Sequence, residues 1–152
     1  MKSASLAPYL RKYPKFIQEV NMKKILIVDD EPTILMTLSH LLNNKDTTVI
    51  TSSRIEEAEE ALSRYAFDLV IADIRLSGMY GIEGLELLSF IKKMHAETEV
   101  IIMTAYGSDE IREDAYRRGA YYYYEKPIDL SHLVKKVQEL GIPVSSGQHT
   151  SL

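Results

Sequence analysis

Three aspartates, a threonine and a lysine stand where short apolar runs end. Asp29 and Asp30 follow Ile25-Leu26-Ile27-Val28, Asp73 follows Leu69-Val70-Ile71-Ala72, Thr104 follows Val100-Ile101-Ile102-Met103, and Lys126-Pro127 comes just after the tyrosines at 121–124. Carboxylates brought together repel and raise one another's pKa unless a cation joins them. An all-oxygen donor set without Cys or His suits a hard ion, and Mg²⁺ is the expected one. Mg²⁺ favours one or two carboxylates plus a phosphate oxygen, which points to phosphoryl chemistry. A carboxylate can itself attack phosphorus to form an aspartyl phosphate. The new charge then needs a metal ion, an ammonium and a hydroxyl around its oxygens.

These residues converge only if the apolar runs are neighbouring strands. Residues 24–28, 48–51, 69–72, 100–103 and 121–124 read as five short strands, the first and third as near-continuous apolar runs of the kind buried on both faces. Between them lie helical stripes: Ile34, Leu35, Leu38, Leu41 and Leu42; Ile55, Ala58, Ala61, Leu62 and Tyr65; and Leu85, Leu88 and Ile91 after a loop from Asp73 to Gly84. Ser108 is placed to cap the next helix, with Asp109 and Glu110 in its first turn and Gly119 at its end. Asp129 is placed to cap the last, whose face is Leu130, Leu133, Val134, Val137 and Leu140, stopped by Gly141 and Pro143. Five β/α units with short links predict a doubly wound (βα)5 three-layer α/β sandwich around a five-stranded parallel sheet. Its functional groove belongs outside the carboxyl ends of the strands.

The 152 residues suffice for one domain of ordinary size. An apolar content of 45% with 26% charged residues suits a chain that buries a core. Lys and Arg number 18 against 22 Asp and Glu, a net charge of −4, so direct DNA binding is not expected. The absence of cysteine excludes disulfides, Cys-ligated zinc and thiol nucleophiles. No apolar run approaches a membrane span and the first twenty residues lack a signal-peptide core, so a cytoplasmic location is expected.

Ile25-Leu26-Ile27-Val28-Asp29-Asp30-Glu31, Asp73, Met103-Thr104-Ala105-Tyr106-Gly107-Ser108, Gly119-Ala120 and Lys126-Pro127 resemble the receiver domain of two-component response regulators. The resemblance covers about residues 22–141 and implies the flavodoxin-like fold. It also implies a signalling module rather than an enzyme: Mg²⁺-dependent phosphoryl transfer from a phosphohistidine on a sensor histidine kinase or phosphotransfer protein, followed by autodephosphorylation. It makes Asp73 the phosphoacceptor, Asp30 a direct metal ligand, Asp29 an acid acting mostly through metal-bound water, and the Arg75 carbonyl a further ligand. Thr104 is similar to the hydroxyl that moves onto the phosphate and Lys126 to the lysine that pairs with it. Tyr123 is similar to the aromatic switch that turns inward and alters the face of the last two helices and the last strand for a downstream protein effector.

Several positions depart from that pattern. Ser77 stands four residues after Asp73 where receivers usually carry Pro, which removes a fixed φ from the loop. The stretch 81–88 carries three extra residues before the third helix, and Tyr122 replaces the acidic residue that one dimer-forming subgroup uses in salt bridges. A phosphorylation-dependent dimer stays among the expected partners, though without those salt bridges to build it. Arg75 and Tyr106 are bulky groups at the two variable positions flanking the phosphate, so slow self-dephosphorylation is expected. Residues 1–21 form a basic, amphipathic extension, disordered or helical, and 142–152 a flexible tail too short for an output domain, so output is expected in trans or by phosphorelay.

Blander readings compete. Asp29 and Asp30 can cap the first helix, but that leaves Asp73 unexplained. Tyr123 can be strand filler, since aromatics favour half-buried pleated surfaces. Alternation along 121–124 sends two rings to each face, so Tyr122 and Tyr124 differ from Tyr123 in surroundings. His40, His95, His132 and His149 are scattered without a paired ligand and read as surface or packing residues. A constitutive, phosphorylation-independent interaction module is the chief alternative. A small-molecule phosphatase is the second rival, but a 152-residue sandwich has no cap domain to exclude water, and Arg75 stands where a second acid would be needed.

Overall fold

The computed structural model describes residues 5–15, 21–76 and 82–145. After a short exposed helix at Ala7–Lys12, strands and helices alternate. They are β1 (Lys23–Val28), α1 (Pro32–Leu42), β2 (Thr47–Ser52), α2 (Ile55–Arg64), β3 (Leu69–Asp73), α3 (Glu83–Met94), β4 (Glu99–Thr104), α4 (Asp109–Arg117), β5 (Tyr122–Glu125) and α5 (Leu130–Glu139). The strands form one parallel sheet in the order β2-β1-β3-β4-β5, so the chain reverses its direction of travel across the sheet between β1 and β3. This is the doubly wound (βα)5 architecture with a flavodoxin-like strand order.

The period-2 alternation of the strands divides the core in two. Leu26, Val28, Val70, Ala72, Val100 and Ile102 pack with α2, α3 and α4, while Ile25, Ile27, Leu69, Ile71, Ile101 and Met103 pack with α1 and α5. Because both faces of β1, β3 and β4 are covered, these strands read as unbroken apolar runs, whereas the edge strand β2 is largely polar. Ser108 Oγ accepts the Ile111 amide at 3.2 Å and Asp129 Oδ1 the His132 amide at 3.2 Å, so both anticipated caps form. Gly119 and Gly141 take positive φ beyond the ends of α4 and α5.

The structure corrects four local readings. α3 begins at Glu83, which puts Gly84 in its first turn and not in the loop before it. Tyr65 is not part of the buried stripe of α2 but follows it, 43% exposed, edge-on to Phe67. Leu130 opens α5 on an exposed turn and is 38% exposed. Tyr121 precedes β5, and its ring joins Tyr122 and Tyr124 on the α1/α5 side, leaving Tyr123 alone on the other. There the Tyr124 hydroxyl and His132 Nδ1 share a 2.7 Å hydrogen bond, and Tyr121 donates to Glu139. The expectations for Ser77, for the insertion around Gly81, for His149 and for most of the tail lie outside the described residues, as do residues 1–4 and 16–20 of the extension. Among the described residues no helix is long and apolar enough to cross a membrane.

Candidate functional site

β1 and β3 run side by side, with Val28 opposite Ala72, and one further step in register sets Asp29 beside Asp73 at the carboxyl ends. Both side chains are buried. Lys126, just past β5, reaches back across the sheet edge. Its Nζ donates to Asp29 Oδ2 at 2.8 Å, Glu31 Oε1 at 2.9 Å and Asp73 Oδ2 at 3.0 Å. Two backbone bonds fix this approach: the Lys126 amide donates to the Thr104 carbonyl at 2.8 Å, and the Ile74 amide to the Met103 carbonyl at 3.1 Å. The Lys126-Pro127 peptide bond is cis.

Backbone amides orient the two buried acids. Asp29 Oδ1 accepts the Glu31 amide at 2.8 Å and Asp73 Oδ1 the Arg75 amide at 3.1 Å. Neither aspartate side chain caps α1, whose first turn has Pro32 and no side-chain cap, so the capping explanation for the acid pair fails. Asp29, Asp30, Glu31 and Asp73 each offer an oxygen within 4.8 Å of the others. Burial pushes the Asp29 and Asp73 carboxyls above their usual pKa, against the opposing pull of Lys126. Burial also works against the Lys126 ammonium. Its hydrogen bonds to Asp29, Glu31 and Asp73 outweigh that, and its pKa is held above the usual lysine value. The cluster offers four carboxylates and only hard oxygen donors, and Lys126 pairs with three of them, a donor set that fits a divalent cation.

Beside the acids opens a cavity of about 310 Å³ lined by Asp30, Glu31, Asp73, Arg75, Ala105 and Tyr106. The Arg75 guanidinium lies over the Tyr106 ring, 4.6 Å from its centroid, so two of the cavity's lining side chains stack on each other. Thr104 is buried at the end of β4, one residue past the register partner of Asp73, and its Oγ1 accepts the Tyr106 amide at 3.1 Å. Tyr123 is one strand further on and away from the acids: its ring is buried on the α2/α3/α4 side, and its backbone amide donates to the Tyr116 hydroxyl of α4 at 3.2 Å.

Four contributors escape a reading of local motifs. Glu31 joins the acidic cluster, and its place directly after the acid pair was the available signal. Tyr116 ties α4 to β5. Gly107 lies against Tyr123. Gly84 brings α3 against β3: its amide donates to the Ile74 carbonyl at 2.9 Å, and a Cβ there would fall 2.2 Å from the Asp73 carbonyl oxygen and 2.6 Å from Ile74 Cα. Those contacts are backbone atoms that cannot swing aside. Gly84→Ala should therefore lower stability by about 1–3 kcal/mol, as overpacking does, measurable by urea denaturation.

Residues 25–138 match the family described as "Response regulator receiver domain". Among curated proteins, the response regulator protein PilR of Pseudomonas aeruginosa is 37% identical over 114 residues, 75% of this chain and 25% of PilR. This chain thus spans about a quarter of the length of the curated relatives it matches. Among solved structures, a CheY-like response regulator receiver domain protein from Methanospirillum hungatei is 31% identical with a TM-score of 0.72, covering 79% of this chain and 94% of that one. The BeF3-activated DrrB receiver domain is also 31% identical, with a TM-score of 0.70 and coverage of 78% and 97%.

Proposed function

The chain belongs to the response regulator receiver domain family, and from that premise we propose that Asp73 is the acceptor for a phosphoryl group carried by a phosphohistidine on a sensor histidine kinase or phosphotransfer protein. The observation that carries this reading is the grip of Lys126 on Asp29, Glu31 and Asp73 at the point where the strand order reverses. A carboxylate oxygen of Asp73 attacks phosphorus, the P–N bond breaks, and the imidazole leaves with its electron pair and takes up a proton. Lys126 and the Thr104 hydroxyl then bind the phosphoryl oxygens, Lys126 having been held ready by the same carboxylates. Asp29, Asp30 and Asp73, with the Arg75 carbonyl, would hold Mg²⁺, which supplies the positive charge that lets carboxylate and phosphoryl oxygens stand together.

The product is a switch, not a turnover cycle. Once Thr104 engages the phosphoryl group, Tyr123 is held inward, and the face of α4, β5 and α5 changes its protein partner. The module acts in the cytoplasm and passes its state on through that face by protein contact. Incubation with acetyl phosphate and Mg²⁺, followed by intact mass, tests the reading: a single labile phosphoryl adduct that needs the metal supports it, and no adduct despite Mg²⁺ binding contradicts it.

Arg75 and Tyr106 stack in the lining of the cavity beside Asp73, and there they would form a roof against the water that must enter to hydrolyse the acyl phosphate. The adduct should therefore be long-lived. Arg75→Ala/Tyr106→Ala should lose it several times faster in a mass time course, and an unchanged lifetime would refute the roof.

A further inference from the structure

The Tyr123 hydroxyl occupies a place that only a glycine at 107 leaves open. A Cβ at Gly107 would lie 2.0 Å from Tyr123 Oη, 2.7 Å from Glu125 Oε1 and 3.1 Å from Glu125 Cγ. Glu125 is exposed and can turn away. The Tyr123 ring cannot yield in place, because it is buried on the side of the sheet that packs against α2, α3 and α4. Its hydroxyl is also buried without a well-formed hydrogen bond, the Ser108 amide acting on it only weakly. A buried hydroxyl so poorly paired gives up little when it leaves for water. The inward ring is thus held by shape at Gly107 rather than by a polar contact.

We infer that Gly107 is the positioning residue of the switch: the absence of a side chain there is what admits Tyr123 to the inward position, so the loop from β4 to α4 sets the balance between the two states. This rests on the phosphoacceptor reading for its link to function, but the steric claim stands by itself. Thr104, Tyr106 and Gly107 belong to one short segment, in which the Thr104 hydroxyl already binds the Tyr106 amide. Movement of Thr104 onto a phosphoryl group is thereby coupled to the space at Gly107. The Tyr123 amide on the Tyr116 hydroxyl carries the ring's position to α4.

Size complementation tests this. With Gly107→Ala, Tyr123 should be expelled and become open to nitration by tetranitromethane, read by peptide mass against the exposed Tyr106 and Tyr65. Continued protection of Tyr123 in a folded Gly107→Ala protein overturns the proposal. Apparent affinity for beryllofluoride in the presence of Mg²⁺ should fall by about tenfold in Gly107→Ala as the competent population shrinks. Adding Tyr123→Phe removes the clashing oxygen and should return affinity to near the wild-type value. Failure of that rescue, including a Gly107→Ala protein that is unfolded and stays so in the double variant, overturns the proposal. Wild-type protein that takes no beryllofluoride refutes the phosphoacceptor reading and the coupling together, while the nitration pattern still decides the steric claim.

Discussion

Asp73→Asn protein is expected to acquire no phosphoryl group from acetyl phosphate under conditions that label the wild type fully. The substitution keeps the shape of the side chain and an oxygen for the Arg75 amide, but an amide is a poor nucleophile and carries no charge for Lys126 or a metal. It also removes one of two buried carboxylates whose burial raises their pKa, so the fold should be retained or slightly strengthened. Loss of labelling with an unchanged or raised melting temperature separates a chemical role from a structural one. A fully labelled Asp73→Asn protein would remove Asp73 from the mechanism.

Lys126→Met is expected to cost stability as well as function. The Lys126 side chain is 10% exposed, and its partners Asp29 and Asp73 are 0% and 7% exposed at their side chains, so methionine would leave two buried carboxylates with no cation. Breaking a buried pair in this way typically costs about 3–5 kcal/mol. In urea denaturation with EDTA the variant should lose roughly that amount. Adding Mg²⁺ should restore part of it, because a cation at the same oxygens answers the same excess charge. Phosphorylation should stay impaired even with the metal present, since no ammonium is left to bind the phosphoryl oxygens. Stability equal to wild type in EDTA would mean that the observed grip of Lys126 contributes nothing.

The acid pair and Asp73 were legible in the sequence for a physical reason. Strands covered on both faces must be apolar along their length, so the first carboxylate marks the end of the strand, and strand ends are where such sheets expose a groove. The helix caps at Ser108 and Asp129 were legible because each is a local exchange between a side chain and an amide three residues on. Gly84 and Gly107 were not, because their value lies in what approaches from distant segments: β3 in one case, the Tyr123 ring in the other. Tyr121 departs from the alternation because that pattern holds only inside a strand, and β5 begins one residue later, at Tyr122. Glu31 lies within the motif, but its membership of the site is not written there, since its reach to Lys126 depends on where β5 ends.

The most direct test of the central claim is to locate the phosphoryl group. Wild-type protein is treated with acetyl phosphate and Mg²⁺, reduced with borohydride so that an acyl phosphate becomes the corresponding alcohol, then digested and sequenced by mass spectrometry. The expected result is a homoserine at position 73 alone, present with donor and metal and absent when either is omitted. Reduction at Asp29 or Asp30 instead, or no reduced residue in protein shown to bind Mg²⁺, would contradict the account.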